Sequence, residues 1–266
     1  MMELIIGPPR EGKSSLCAAR GLERMRGEYA RRAIKLAQSE AAMLNANGFN
    51  VSLPPSMKHS VYTYKFEINA KSPDFGHRKS FEAHPENFGF EAEGFEPWFP
   101  PCGSTLILDE FQSVYDSRNW NQFPENVARA YEQHGKKMLD IWIISQHPNL
   151  VELRVRQLCS ITLVVGMEEL YNKWGEICTT NWKLLHWDRY EDWEKGKVPW
   201  GELYTYNGNV RKIYNTYAGV EMFYAGLQKK NFGVDEHCPV DLTPEGIAKY
   251  VKEHNIQFKK KKENAA

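Results

Sequence analysis

Residues 7–14 of the chain read Gly-Pro-Pro-Arg-Glu-Gly-Lys-Ser and fit G-x-x-x-x-G-K-[ST], a phosphate-binding loop. No other stretch restricts the fold as much, because such a loop works only between a strand and a helix. Leu4, Ile5 and Ile6 precede it as a short apolar run, the pattern of a buried parallel strand. Residues 14–26 follow it and are mostly helix formers. The spacing carries the chemistry. Gly7 and Gly12 lack a Cβ, so backbone N–H groups can turn inward around a phosphate. The positive end of the following helix faces the same anion. The expected cradle is Gly7, Pro8, Pro9, Arg10, Glu11, Gly12, Lys13, Ser14 and Ser15. Lys13 is placed to reach β- and γ-phosphates, and the Ser14 hydroxyl to bind Mg²⁺. ATP and Mg²⁺ are therefore the expected cofactors.

A second signal lies at Thr105-Leu106-Ile107-Leu108-Asp109-Glu110, an apolar strand ending in two acids. This is the form of a Walker B strand, whose carboxyl end lies beside the phosphate loop in a parallel sheet. Asp109 then holds Mg²⁺, directly or through water, and Glu110 activates the attacking water. Met138 to Ser145 is a further apolar strand, ending in Ser145-Gln146-His147. The interval between the two strands suits one helical crossover, so they should be parallel neighbours. Gln146 then stands at a strand end near the γ-phosphate, where an amide can orient water or report the phosphate state. With strands near 4–7, 50–66 and 160–166, about five strands alternate with helices. The expected class is α/β: a three-layer P-loop NTPase with a mainly parallel sheet and a small C-terminal β-hairpin and helix extension.

Composition removes several classes. Lys+Arg and Asp+Glu are both 34, so net charge gives no argument for nucleic-acid binding and any such surface must be local. The five cysteines are scattered and lack a C-x-x-C pair, against a disulfide framework or a zinc ribbon. No apolar run reaches the length of a membrane span, and the expected compartment is the cytoplasm of a host cell.

Residues 28–47 read as a helix with Ala30, Ile34, Ala37, Ala41 and Leu44 on one face and Arg31, Arg32 and Lys35 opposite. The basic side is a solvated face or a DNA-facing patch. Residues 69–103, rich in Gly, Pro and aromatics, read as an irregular insertion. Pro124 to His134 reads as a helix with Gly135 after its end. Five tryptophans crowd into residues 174–200, a packing surface or a base-stacking platform. Asn207-Gly208-Asn209 signals a hairpin between 202–206 and 210–214. Thr243-Pro244 opens a short helix, and Lys259 to Lys262 form a basic tail. The expected division is an NTPase domain over 1–217 and a C-terminal extension over 218–266.

With the loop, the acid pair and the Ser-Gln strand end together, the chain resembles the N-terminal domain of the zonular occludens toxin family. That family includes the filamentous-phage gene I assembly proteins and is related to the FtsK–HerA class of DNA-pumping ATPases. The residues that carry the resemblance are 7–14, Leu106 to Gln112 with Arg118 downstream, and Glu132 to Gln146. It extends over roughly residues 3–217, with Val210 to Tyr217 similar to the strand that closes the family's domain. It implies ATP hydrolysis in a ring of identical subunits, with DNA or a phage nucleoprotein complex as partner. It also implies an arginine supplied across a subunit interface. Arg154 sits where the family often has one, and Arg156 and Arg118 are the other candidates. The phage assembly proteins usually carry a membrane helix after this domain; none is seen here, so a separate membrane partner or a soluble relative is implied. Two other readings compete: a small-molecule phosphotransferase on the same fold, and a nucleotide-binding interaction module without DNA translocation. Lys13, Asp109 and Glu110 together argue against the module, and the neutral, aromatic 69–103 stretch argues against a phosphotransferase lid.

Overall fold

The structure, a computed structural model, describes residues 1–25, 27–48, 50, 60–72, 76–85, 88, 100–101, 103–114, 125–215 and 239–260. The apolar run before the glycine loop forms β1 (Met2–Ile6), and α1 (Lys13–Arg24) starts at the loop's lysine. Next come α2 (Gly27–Ala46), β2 (Val61–Tyr64), β3 (Glu67–Ser72), β4 (Gly76–Lys79) and β5 (Phe81–Glu82). The centre of the chain gives β6 (Thr105–Leu108), α3 (Glu125–Glu132), β7 (Asp140–Ile144), α4 (Leu153–Gln157) and β8 (Ser160–Tyr171). The rest gives β9 (Ile177–Trp187), α5 (Tyr190–Glu194), β10 (Trp200–Tyr206), β11 (Tyr214–Asn215), α6 (Pro244–Glu253) and β12 (Phe258–Lys260).

Among the described residues nine strands make one sheet in the order β12-β10-β9-β8-β1-β7-β6-β2-β5. Every pairing from β8 to β5 is parallel, β9 turns back on β8, and β10 on β9. The expected α/β class holds, and β6 and β7 are the parallel neighbours that their spacing predicts. β7 lies between β1 and β6: Ile5 faces Ile144 on one side, and Leu108 faces Ile143 on the other. The carboxyl ends of three strands are thus brought side by side, and the candidate site is built there.

Alternation along β1 assigns the two faces. Leu4 and Ile6 pack with Val127 and Tyr131 of α3, Val155 of α4 and Ile247 of α6. Ile5 points the other way, among Leu16, Cys17 and Ala18 of α1 and Trp142 of β7. Burial on both sides explains why β1 reads as unbroken apolar sequence save for Glu3, which sits on the α1 side and pairs with Arg20.

Several local expectations are corrected. Asn207-Gly208-Asn209 does not close a hairpin: β10 pairs with β9 and β12, while Val210–Lys212 is a 3-10 turn. The reason is burial on the α1 side, where Val210 and Ile213 pack while the Asn209 side chain caps the turn by accepting from Arg211 N at 3.0 Å. Tyr214–Asn215 then pairs with β3 in a second, three-stranded sheet. The helix before Gly135 ends at Glu132 and continues as a 3-10 turn, and Met138, not Gly135, takes the left-handed conformation (φ 51°). Within the stretch expected to be irregular, β3 and β4 form an antiparallel hairpin and β5 joins the main sheet; 73–75, 86–87, 89–99 and 102 lie outside the described residues. The tryptophans divide: Trp182, Trp187 and Trp193 are buried, and Trp174 and Trp200 are exposed. Residues 239–260 add β12 to the main sheet and Val240 and Ile247 to its core, whereas the expected boundary near 217 lies outside the described residues. Lys261 and Lys262 of the basic tail do so too. Among the described residues no helix is long and apolar enough to cross a membrane.

Candidate functional site

The glycine loop links β1 to α1 with a backbone that turns left-handed at Gly7 (φ 149°), Arg10 (φ 71°) and Gly12 (φ 81°). Neither glycine can gain a side chain. A Cβ on Gly7 would lie 2.8 Å from Val164 O, and one on Gly12 would lie 2.7 Å from Met167 Sδ and 2.9 Å from Trp182 Nε1. The loop is therefore pressed against the β8–β9 hairpin. Trp182 also donates its indole N–H to Gly12 O at 3.2 Å, and Ser15 donates its hydroxyl to the same carbonyl at 2.8 Å.

Lys13 folds back over the loop and donates to Gly7 O at 2.8 Å and to Pro8 O at 2.7 Å. Burial pushes its ammonium below the usual lysine range, and Asp109 and Glu11 pull the other way. Ser14, on the first turn of α1, donates its hydroxyl to Asp109 Oδ2 at 2.5 Å. This contact reaches across the end of β7 and brings the two sequence motifs to one point. Burial pushes the Asp109 carboxyl above its ordinary range, and the Ser14 hydrogen bond partly offsets this. A buried carboxylate beside a hydroxyl is a donor set for a hard divalent cation that also takes phosphate oxygens and water. Ser14 and Asp109 thus fit Mg²⁺ as a pair.

Glu110 follows Asp109 with φ 48°, a left-handed conformation uncommon outside glycine. Its carboxylate meets Lys65 Nζ at 3.2 Å. Gln146 is half-buried just beyond β7, between the ends of β1 and β6. Ser145 beside it continues the β1–β7 ladder through Ser145 N to Ile5 O at 3.0 Å.

The arginines divide. Arg156 is held within its own chain, donating to Asn149 Oδ1 at 2.6 Å and lying 5.2 Å over the Tyr190 ring. Arg154 is exposed on α4 and pairs with Glu125 of α3 at 2.8 Å, while Glu152 caps α4 by accepting from Val155 N. Arg118 lies outside the described residues.

Sequence reasoning passed over Lys65, Met167 and Trp182. Lys65 follows a short strand whose pairing with β6 could not be read from spacing, and Met167 and Trp182 stand on a hairpin with no motif of its own. It also passed over the bidentate Glu3–Arg20 pair at 2.7 and 2.9 Å. That pair borders a cavity of about 690 Å³ on the α1 side of the sheet, which none of the loop residues or the Asp109-Glu110 pair lines.

Residues 69–187 match the family model described as zonular occludens toxin (Zot). The resemblance read from the motifs is borne out. The Zot match takes in Asp109, Glu110, Gln146 and Arg154; the glycine loop precedes it and stands on its own geometry. No curated relative matches the chain. Among solved structures, the N-terminal domain of zonular occludens toxin from Neisseria meningitidis is similar at 17% identity and a TM-score of 0.43, over 80% of this chain and 98% of that one. The DNA-packaging ATPase of Sulfolobus Turreted Icosahedral Virus is similar at 12% identity and a TM-score of 0.34, over 78% of this chain and 97% of that one. The genome packaging NTPase of Sulfolobus turreted icosahedral virus 2, in complex with ATP-gammaS, is similar at 10% identity and a TM-score of 0.36, over 78% and 96%.

Proposed function

We propose that the chain is an ATP-hydrolysing motor for assembly, export or packaging of phage or mobile-element DNA. One observation carries the catalytic part: the 2.5 Å contact between Ser14 and Asp109, which unites a phosphate loop with an acid pair at one end of a parallel sheet. In this reading the backbone N–H groups of Gly7 and of residues 10–15, but not of Pro8 and Pro9, hold the phosphates, and Lys13 exchanges its two loop carbonyls for β- and γ-phosphate oxygens. Ser14 and Asp109 would hold Mg²⁺, which would supply neutralising charge to the transferring phosphoryl group. Glu110 accepts the proton of the attacking water, and Gln146 orients that water. Arg154, exposed on α4, serves the site of the next copy in a ring. The DNA part of the reading rests on the family resemblance, as does a separate membrane partner.

The test is ATP turnover with and without DNA, beside a mass measurement of the assembly. Glu110→Gln keeps the shape and removes the base, so ATP should bind and persist. Asp109→Asn should also weaken Mg²⁺-dependent binding. Turnover by Glu110→Gln at the wild-type rate would refute the assignment. Phosphate transfer to an added small acceptor, without stimulation by DNA, would favour a phosphotransferase instead.

A further inference from the structure

We propose that Lys65 is a positioning residue that holds Glu110 in place for water activation. The inference deepens the ATPase reading and rests on it. The β2–β6 ladder runs from Val61 opposite Thr105 to Tyr64 opposite Leu108, and Asp109 N still reaches Tyr64 O at 3.4 Å. Beyond that point both chains leave the sheet by the same device. Lys65, directly after β2, has φ 64°, and Glu110, two residues after β6, has φ 48°. Non-glycine residues rarely take this conformation, and its instances gather where a side chain must be aimed. Here two of them, on adjacent strand ends, aim their side chains at each other, and Lys65 Nζ lies 3.2 Å from Glu110 Oε2.

The two partners are not equally wet. The Lys65 side chain is 17% exposed and the Glu110 side chain 40%. The cation is thus the anchored partner, with its ammonium also 5.8 Å from the Tyr64 ring. Glu110 is the more exposed of the two. Its backbone is fixed as well: its N–H donates to Asp109 Oδ1 at 2.9 Å and its carbonyl accepts from Ser113 N at 2.8 Å. What the backbone leaves free is the carboxylate's own rotation, and Lys65 restricts that. The nearby Lys13 is engaged with the loop carbonyls and does not compete for the same oxygens. A base held to within a fraction of an ångström is worth much in rate, since misplacement by about 1 Å can cost about a hundredfold.

The experiment measures ATP turnover and, separately, affinity for a non-hydrolysable ATP analogue by calorimetry. Lys65→Met should keep the affinity and lower kcat by about 10- to 100-fold. Lys65→Arg should restore most of that loss, and Lys65→Met combined with Glu110→Gln should be no slower than Glu110→Gln alone. Lys65→Gln, which keeps polarity, serves if the methionine variant fails to fold. Wild-type kcat in Lys65→Met or Lys65→Gln overturns the positioning role alone. So does a double variant slower than Glu110→Gln, or no rescue by arginine. Absence of turnover in the wild-type protein, with or without DNA, overturns the ATPase reading and the positioning role together.

Discussion

Removing the Arg20 guanidinium should destabilise the fold, and it should reverse a pH dependence. Glu3 is 3% exposed in the middle of β1. Burial alone would push its carboxyl up; the Arg20 guanidinium and the Thr162 hydroxyl, donating at 2.6 Å, outweigh that and hold it at about 2 instead of 4.5. At about 1.4 kcal/mol per tenfold change in proton affinity, such a shift is worth about 3 kcal/mol at neutral pH. The folded-state value is depressed, so this stability is present above pH 4.5 and is lost as the pH falls through about 2. Arg20→Met leaves an uncompensated carboxylate in the core, which costs about 3–5 kcal/mol. For a chain of this size that lowers Tm by about 10 °C. In the variant the carboxyl sits above its ordinary range, so acid should relieve the penalty that neutral pH imposes. Urea denaturation at pH 7 and pH 3 reads both effects: wild type weakens toward acid, and the gap to Arg20→Met narrows. Glu3→Gln added to Arg20→Met should recover part of the loss. Equal stability of Arg20→Met and wild type at pH 7, or parallel pH curves, would refute the reasoning.

Three further outcomes are expected. Gly12→Ala puts a Cβ against Met167 Sδ and Trp182 Nε1 at a residue with φ 81°, which costs about 1–2 kcal/mol in backbone strain alone and should abolish nucleotide binding measured by calorimetry. Lys13→Ala should lose measurable ATP affinity while its far-ultraviolet circular dichroism stays unchanged, and unchanged affinity would sink the loop assignment. Arg154→Ala should bind ATP normally, melt close to wild type because its Glu125 partner is exposed, and lose hydrolysis by about three orders of magnitude. Excess Glu110→Gln protein should restore part of that activity through mixed interfaces, and full activity of Arg154→Ala alone would direct the same test to Arg156 and Arg118.

The sequence by itself determined the two motifs, the class and the parallel pairing of β6 with β7. It could do so because each rests on local chemistry: glycine spacing, an apolar run that stops at two acids, and a crossover length. Burial of β1 on both faces is likewise written in Leu4, Ile5 and Ile6. What only the tertiary structure decided is what meets across the sheet. The insertion of β7 between β1 and β6 carries Ser14 to Asp109, and no spacing states which strand lies in the middle. The pairing of β2 with β6 brings Lys65 to Glu110 across a long stretch of chain, and the return of β9 sets Trp182 on Gly12. The Asn207-Gly208-Asn209 signal failed for the same reason. A local turn preference is worth little against the burial of Val210 and Ile213, and that burial exists only once α1, β3 and β9 have come together.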